Sequence, residues 1–321
     1  MTEDAGQNLA RLDLNLLVVL RALLRERNVT RAARRIGVSQ PAASAALGRL
    51  RRHFGDELLI RERGSYVLSP LATQLIDQVE SACAAVERIF SASAEFDPEV
   101  SNREFTLILA DYSIAVMAEP LSRLMDATAP GVRLHVRQVR ERQLADVAAT
   151  VRMVDGLVVP YAPQLDRADI RSAELFTDRW VCVAAARNPR IRGDRIGLGD
   201  LADMSWVLPY YDVSGYPPTA PISRLLALFG IRPRVAVRVE SYSAVPYFVA
   251  GTDRIALMQD RLARRYARQY DLRLLECPGD PEPLVERLWW HIQHDDDPAH
   301  AWLRRTITQA TAELRQAADR A

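Results

Sequence analysis

The chain has 321 residues, 49% hydrophobic and 26% charged, a composition that builds packed cores and excludes a disordered polyelectrolyte. Two or three domains are expected at this length. The net charge of +1 hides an asymmetry: residues 1–70 hold 12 arginines against 7 acidic residues, and from Arg21 to Arg63 the count is 11 against 4, or +7 in 43 residues. A basic head on a mildly acidic body suits a polyanion-binding segment joined to a regulatory or catalytic one, the alternative being a solvated helical surface.

Residues 13–27, DLNLLVVLRALLRER, repeat apolar residues at helical spacing (Leu16, Leu17, Leu20, Leu23, Leu24), with Asp13 as the expected N-cap. Thr30 is placed to cap a second helix, TRAARRIG, which buries Ala32, Ala33 and Ile36 and stops at Gly37. Ser39 caps a third helix, with Pro41 tolerated in its first turn because amides there lack intrahelical partners. Ala43, Ala46, Leu47 and Leu50 then form an inward stripe, and Gln40, Ser44, Ala45, Gly48 and Arg51 an outward one. Two short helices joined by a glycine-containing turn make a helix-turn-helix. Next, β-prone LLI and YVL flank RERGS, a hairpin turned at Gly64 with Arg61 and Arg63 at or near its tip. A helix-turn-helix followed by a basic wing is a winged helix-turn-helix, and this order of elements is a more specific signal than the charge. Residues 71–90 step through Ala72, Leu75, Val79, Ala82, Val86 and Ile89 in threes and fours. That spacing fits a dimerising coiled coil, or a helix lying on its own domain. The polar stretch SASAEFDPEVSN over 91–102 reads as a linker.

Strand-like and helix-like runs then alternate. FTLILA, IAVMAEPLSRLMDAT, VRLHVRQV, QLADVAATVRMV and GLVVPY give a βαβαβ unit, and a second α/β group runs from WVCVAAA to RIALM. Two such lobes in series bind small ligands in the cleft between them. Asp111-Tyr112-Ser113 and Ser241-Tyr242-Ser243 each follow a strand and precede a helix. Hydroxyls and free amides at two helix N-termini would receive a carboxylate or phenolate. Tyr210 and Tyr211, at the end of a third strand, would supply an aromatic wall. For any single serine the plainer role is an N-cap. The candidate effector residues are Tyr112, Ser113, Tyr210, Tyr211, Tyr242 and Ser243.

Enzyme signals are thin. Glycine-rich phosphate loops, GxSxG and HExxH are absent, so no catalytic residue or cofactor is assigned. WWHIQHDDDPAH gathers His291, His294 and His300 around three aspartates, a mix a metal could use. Were LVERLWWHIQH one strand, His291 and His294 would point to opposite faces. Asp297-Pro298 reads as N-cap and first residue of the last helix, so no metal is assigned either. Cys83, Cys182 and Cys277 offer no metal or disulfide spacing and suit a reducing compartment. A redox switch would need the fold to bring Cys182 and Cys277 together. No apolar run reaches the roughly 18 residues of a spanning helix. The polar start MTEDAGQNLARLD lacks a secretory pattern, so a cytoplasmic protein with no membrane partner is expected.

The run VTRAARRIGVSQPAASAALGRLRRHFGDELLIRERGSYVLSP resembles the N-terminal domain of the LysR-type transcriptional regulators, with their T-x-A-A-x-x-(I/L)-x-V-S-Q-P-A-x-S core, F-G-D and basic wing. ADYSIAVMAEPL, LFTDRWVCVA, SYSAVPYFVAGTDRIALM and RLWWHIQHDDDPAHAWLR extend the resemblance over the whole chain, to the branch of nodulation and aromatic-degradation regulators. The resemblance implies an α/β architecture with three parts: a winged helix-turn-helix DNA-binding domain at 1–70, a dimerising linker helix at 71–92, and a two-lobed, periplasmic-binding-protein-like effector domain at 103–321. The first lobe would be completed by C-terminal residues.

The same resemblance implies a sequence-specific regulator on an inverted-repeat operator in double-stranded DNA, and a homo-oligomer, dimer or (as for most of the family) tetramer. A small organic, aromatic acid between the lobes would be its effector, and RNA polymerase is a further candidate partner. The DNA-binding candidates are Thr30, Ser39, Gln40, Pro41, Ser44, Arg49, Arg51 and Arg63, with Gln40, Pro41 and Ser44 at base edges and Thr30, Arg49, Arg51 and Arg63 at phosphates or the minor groove. The rivals are a non-regulatory binding protein or enzyme of similar lobes, which has no need of the basic head, and a redox-controlled or ligand-independent regulator. Two positions depart from the family. Ala45 stands where many members carry a basic or amide residue, leaving apolar contact with thymine methyls there. Gln259 stands where the branch commonly has proline.

Overall fold

The computed structural model describes residues 13–62, 64–90, 95–139, 146–191, 193, 195–209, 221–279 and 281–318. The chain divides into two compact units, Met1–Ala92 and Ser93–Ala321.

In the first unit, helices α1 (Asn15–Glu26), α2 (Val29–Arg35) and α3 (Gln40–Phe54) precede an antiparallel hairpin of β1 (Leu59–Glu62) with β2 (Ser65–Leu68), and the long helix α4 (Pro70–Phe90) follows. The apolar stripes close on one core: Leu20, Leu23 and Leu24 of α1 meet Ala32 of α2 and Ala46, Leu47 and Leu50 of α3. Two caps differ from expectation. Asp13 lies before the cap position, Leu14, and accepts from the Asn15 amide at 3.0 Å. Asn28, not Thr30, caps α2, accepting from the Arg31 amide at 3.0 Å, because the backbone is extended at Asn28 and already helical at Thr30. Ser39 caps α3 as expected, accepting from Ala42 at 3.3 Å. In the hairpin, Gly64 has φ +89, a conformation L side chains rarely adopt. The strands run closer to the turn than LLI and YVL suggest, and Arg61 lies within β1, paired with Tyr66.

Ser69 opens α4: its hydroxyl accepts from the Ala72 amide at 3.0 Å and donates to Asp56 at 2.6 Å. The apolar stripe of α4 is divided between two roles. Ala72, Val79 and Cys83 are buried in the head's own core, with Leu75 packed against it. The far end is uncovered, with Ile89 71% and Phe90 86% exposed. A bidentate Arg25–Glu80 ion pair fixes α1 on α4.

The second unit holds two five-stranded mixed sheets. The first lobe contains β3 (Glu104–Leu109), β4 (Arg133–Gln138), β5 (Gly156–Pro160), β6 (Ile170–Asp178) and β12 (Leu284–His291), ordered β4-β3-β5-β12-β6. Its helices are α5 (Asp111–Thr128), α6 (Val147–Met153), α11 (Pro298–Ala310) and α12 (Ala312–Ala318). The second lobe contains β7 (Trp180–Ala185), β8 (Ser205–Pro209), β9 (Arg234–Val239), β10 (Ile255–Gln259) and β11 (Leu272–Glu276), ordered β11-β7-β10-β8-β9. With them go α7 (Leu198–Asp203), α8 (Pro221–Leu228), α9 (Val245–Val249) and α10 (Asp260–Ala267).

β3 runs parallel to both β4 and β5, the expected βαβαβ arrangement. β12 returns from the second lobe and inserts antiparallel between β5 and β6, so C-terminal residues do complete the first lobe. β6 adds a strand that strict alternation does not announce; its pairing with β12 defines it. The chain passes between lobes twice, at Arg179 and between β11 and β12. One apolar core continues through both lobes, joining Leu107, Met117 and Leu303 to Trp206, Leu257 and Met258. Among the described residues, no helix is long and apolar enough to cross a membrane.

Candidate nucleic-acid interface and interlobe cleft

Burying Ala43, Ala46, Leu47 and Leu50 turns the other face of α3 outward, where Gln40, Pro41, Ser44, Ala45 and Arg49 are all exposed. An amide, a hydroxyl, a methyl and a guanidinium on one rigid helix are what a major groove can read. Thr30 is exposed in the first turn of α2, whereas the Ser39 hydroxyl is engaged as a cap. Arg49 pairs with Asp13 at 2.8 Å. Arg51 donates to the carbonyls of Glu57 and Leu59 at 2.9 and 3.0 Å and pairs with the Glu57 carboxylate at 2.8 Å. It braces the wing against α3, a role the sequence does not reveal. Arg63 lies outside the described residues.

The cleft is built where β3 runs into α5. Asp111, Tyr112 and Ser113 form the first turn of α5 rather than preceding it, and all three are buried. Across the cleft, Ser241 caps the following turn by accepting from Ala244 at 3.2 Å. The Ser243 amide is not free: it donates to Asp111 Oδ2 at 2.8 Å. The fold thus brings Tyr112 and Ser113 of one lobe to Tyr242 and Ser243 of the other, with Asp111 as the join. Tyr210 and Tyr211 lie outside the described residues.

Several cleft groups escape sequence reasoning. Tyr112 donates to Asp178 Oδ2 at 2.5 Å, and the Arg261 amide donates to the same oxygen at 3.2 Å. Burial raises the Asp178 carboxyl above its usual value, opposed by these hydrogen bonds, and burial beside Asp178 raises the Tyr112 phenol. Glu286 is 1% exposed, beside the Ser113 hydroxyl, and burial pushes its carboxyl up to about 8. The signal for Glu286 was present: it alternates with Leu284 and Leu288 on the inward face of β12. Gln259, the departure from proline, is buried at the end of β10, beside the Tyr242 hydroxyl.

Two other clusters are held as structure. Asp155, His294 and His300 each offer a ligand atom within 4.8 Å of the others. His300 Nε2 faces the Asp155 carbonyl at 2.5 Å and Nδ1 faces the Arg304 guanidinium at 2.8 Å. Both ring nitrogens are thus engaged, and a guanidinium stands where a cation would bind. Burial, foremost, pulls His300 down to about 4, so the ring is neutral. β12 ends at His291, so His294 belongs to the next turn, and Asp297 caps α11 as expected. Cys182 pairs with Leu275, and Cys277 follows two residues on. Both cysteines are free thiols. Burial raises both thiols, Cys277 up to about 12, which keeps them protonated.

Comparison with known proteins agrees in both units. The family described as "Bacterial regulatory helix-turn-helix protein, lysR family" matches residues 14–73, and "LysR substrate binding domain" matches residues 101–312. Nodulation protein D of Rhizobium leguminosarum bv. trifolii is 32% identical over 309 residues, 96% of this chain and 95% of that protein. The crystal structure of a probable transcriptional regulator from Pseudomonas aeruginosa superposes with a TM-score of 0.70 at 32% identity, covering 94% of this chain and 98% of the other. Full-length CbnR complexed with its target DNA shares the fold, with a TM-score of 0.63 at 15% identity over 94% of this chain and all of the other.

Proposed function

The chain belongs to the LysR family of transcriptional regulators, as a DNA-binding regulator with a ligand-binding domain and not an enzyme, and we propose that a small organic, aromatic acid between its lobes sets its hold on an inverted-repeat operator. The Asp111–Ser243 bond carries this reading: a carboxylate of the protein itself occupies the amide that an effector carboxylate would take. The remaining acids leave room for an anion. Glu286, pushed up to about 8, is largely uncharged at neutral pH, and Asp178 is offset by Tyr112 and Arg261. Tyr112, Ser113 and Tyr242 form the floor, Ser243 supplies the amide, and Tyr210 with Tyr211 would supply the aromatic wall.

On DNA, Gln40, Pro41 and Ser44 meet base edges, with Ala45 against thymine methyls. Thr30, Arg49 and Arg63 meet phosphates or the minor groove, while Ser39 sets the start of α3 and Arg51 holds the wing toward the backbone. The uncovered end of α4 pairs two copies into a dimer, or into half of a tetramer, over one inverted repeat. RNA polymerase would meet that assembly in the cytoplasm.

The test is a reporter dose–response over a panel of aromatic acids, paired with gel shifts on ligand-free protein. Asp111→Asn weakens the internal competitor and should induce at lower acid concentration. Ser113→Ala should blunt induction while leaving ligand-free operator binding nearly unchanged. Identical curves for Asp111→Asn, Ser113→Ala and wild type would overturn the cleft assignment, and a panel without any inducer would overturn the acid.

A further inference from the structure

A cavity of about 610 Å³ lies in the effector unit, lined by none of the cleft residues above, although its Trp180 ring lies 6.2 Å from that of Tyr242. Its walls include residues of both connections between the lobes: Arg179 from the first, and Cys277, Pro278, Gly279 and Pro281 from the second. Gly279 has φ +84, and a Cβ there would meet the Phe229 ring at 2.8 Å.

The chemistry of the cavity is specific. Arg264 donates Nε to Asp260 Oδ2 at 2.7 Å, and Arg179 forms a looser ion pair with the same oxygen at 3.5 Å. One carboxylate therefore orients two guanidiniums whose terminal nitrogens have no other partner among the described residues. Arg195 lines the same cavity and has no ion pair among those residues. A guanidinium anchored through Nε presents its remaining donors as a fork matched to a carboxylate. The neighbouring wall sets the apolar Trp180, Ile196, Leu274 and Leu275 beside the Glu276 carboxylate. Asp260 is nine-tenths buried, and its Oδ1 has no donor among the described residues. The volume falls within the range of small-molecule sites, roughly 300–1,000 Å³.

We infer that this cavity is a second ligand site, taking a small organic carboxylate with an apolar body and a hydroxyl donor. The carboxylate lies on Arg195 and the Arg179–Arg264 pair, the ring packs on the Trp180 wall, and the hydroxyl turns toward Asp260 Oδ1. Because the walls come from both interlobe connections, an occupant ties them together.

The probe is salicylate, and Cys277 reports its position, being half-buried on the cavity wall while Cys83 and Cys182 are buried. Salicylate affinity is measured by calorimetry on the full chain, and N-ethylmaleimide labelling of Cys277 is followed by peptide mass. At twice its Kd, salicylate should slow that labelling about threefold, the factor 1 + [L]/Kd. The protection should persist in Ser113→Val, a cleft variant, and disappear in Arg195→Glu, an exposed change whose melting curve checks folding. No calorimetric binding, or labelling unaffected by salicylate, overturns the site. Protection that survives Arg195→Glu overturns the guanidinium recognition, and protection lost in folded Ser113→Val assigns the salicylate to the cleft instead.

Discussion

Replacing Gln40 by alanine separates base reading from every other property of the head. Gln40 is exposed at the first position of α3, outside the head's core, and the Ser39 cap binds the Ala42 amide without it. Glutamine and alanine differ by only a few tenths of a kcal/mol in helix propensity, so Gln40→Ala should fold and melt like wild type. An amide bidentate to a base edge contributes about 1–3 kcal/mol of discrimination. At about 1.4 kcal/mol per decade, that is about 5- to 140-fold per half-site. Both half-sites of a symmetric operator lose it together. Fluorescence anisotropy on the operator and on its single-base substitutions, at one fixed salt concentration, measures the loss. The salt slope should stay as it is, because no phosphate contact is removed. Operator preference left intact, or a uniform loss with the slope reduced by about one, would refute this orientation of α3.

Arg51→Ala should behave oppositely, weakening all sequences alike and lowering the head's melting point, since about 1–2 kcal/mol goes with its two carbonyl bonds; unchanged melting would show the brace to be unimportant. Ile89→Asp with Phe90→Asp should dissociate the oligomer while the head stays folded, whereas Val79→Asp should unfold the head, because Val79 is 4% exposed. Light scattering with an unchanged mass for the double variant would count against pairing at the end of α4. Glu286, pushed up to about 8 from 4.5, keeps its proton in the folded chain where the unfolded chain has lost it. Stability of the effector unit should therefore fall as pH rises from 4.5 to about 8, and Glu286→Gln should remove a slope of up to roughly 5 kcal/mol in total. Parallel melting curves for the two proteins across that window would contradict it.

Local signals in the sequence carried the head. Ser39, Pro41 and the stripe Ala43, Ala46, Leu47, Leu50 state where α3 begins and which face it buries, because capping and 3.6-residue spacing act within a few residues. The spacing on α4 could not decide between two partners. A stripe in threes and fours looks the same whether it meets the head's core, as at Val79, or is left uncovered, as at Ile89. Thr30 failed as a cap because the extended cap backbone stands two residues earlier, at Asn28, and Thr30 is already inside the helix. The cleft was legible at Asp111-Tyr112-Ser113 and Ser241-Tyr242-Ser243, since strand-to-helix junctions are local. Asp178 and Arg261, 83 residues apart, meet only through the packing of two sheets, and no spacing rule reaches that far.

Contacts across the cleft determine what an effector has to change. Asp111 accepts from the Ser243 amide, Arg261 donates its amide to Asp178 and its side chain to the Leu314 carbonyl, and Arg265 reaches the Ala115 carbonyl. A hydrogen bond to a charged group contributes about 1.5–3 kcal/mol. Moving a two-state equilibrium from 1:99 to 99:1 takes about 5.5 kcal/mol of differential affinity. A ligand that only substitutes its carboxylate for Asp111 exchanges one charged acceptor for another at the same amide and shifts the lobes little. It must also disturb the Asp178–Arg261 contact, which Tyr112 links to the same first turn of α5. The ring of an aromatic acid, seated beside Tyr112 and Tyr242, would reach both contacts together. A carboxylate without a ring would occupy the amide and leave the lobes where they are.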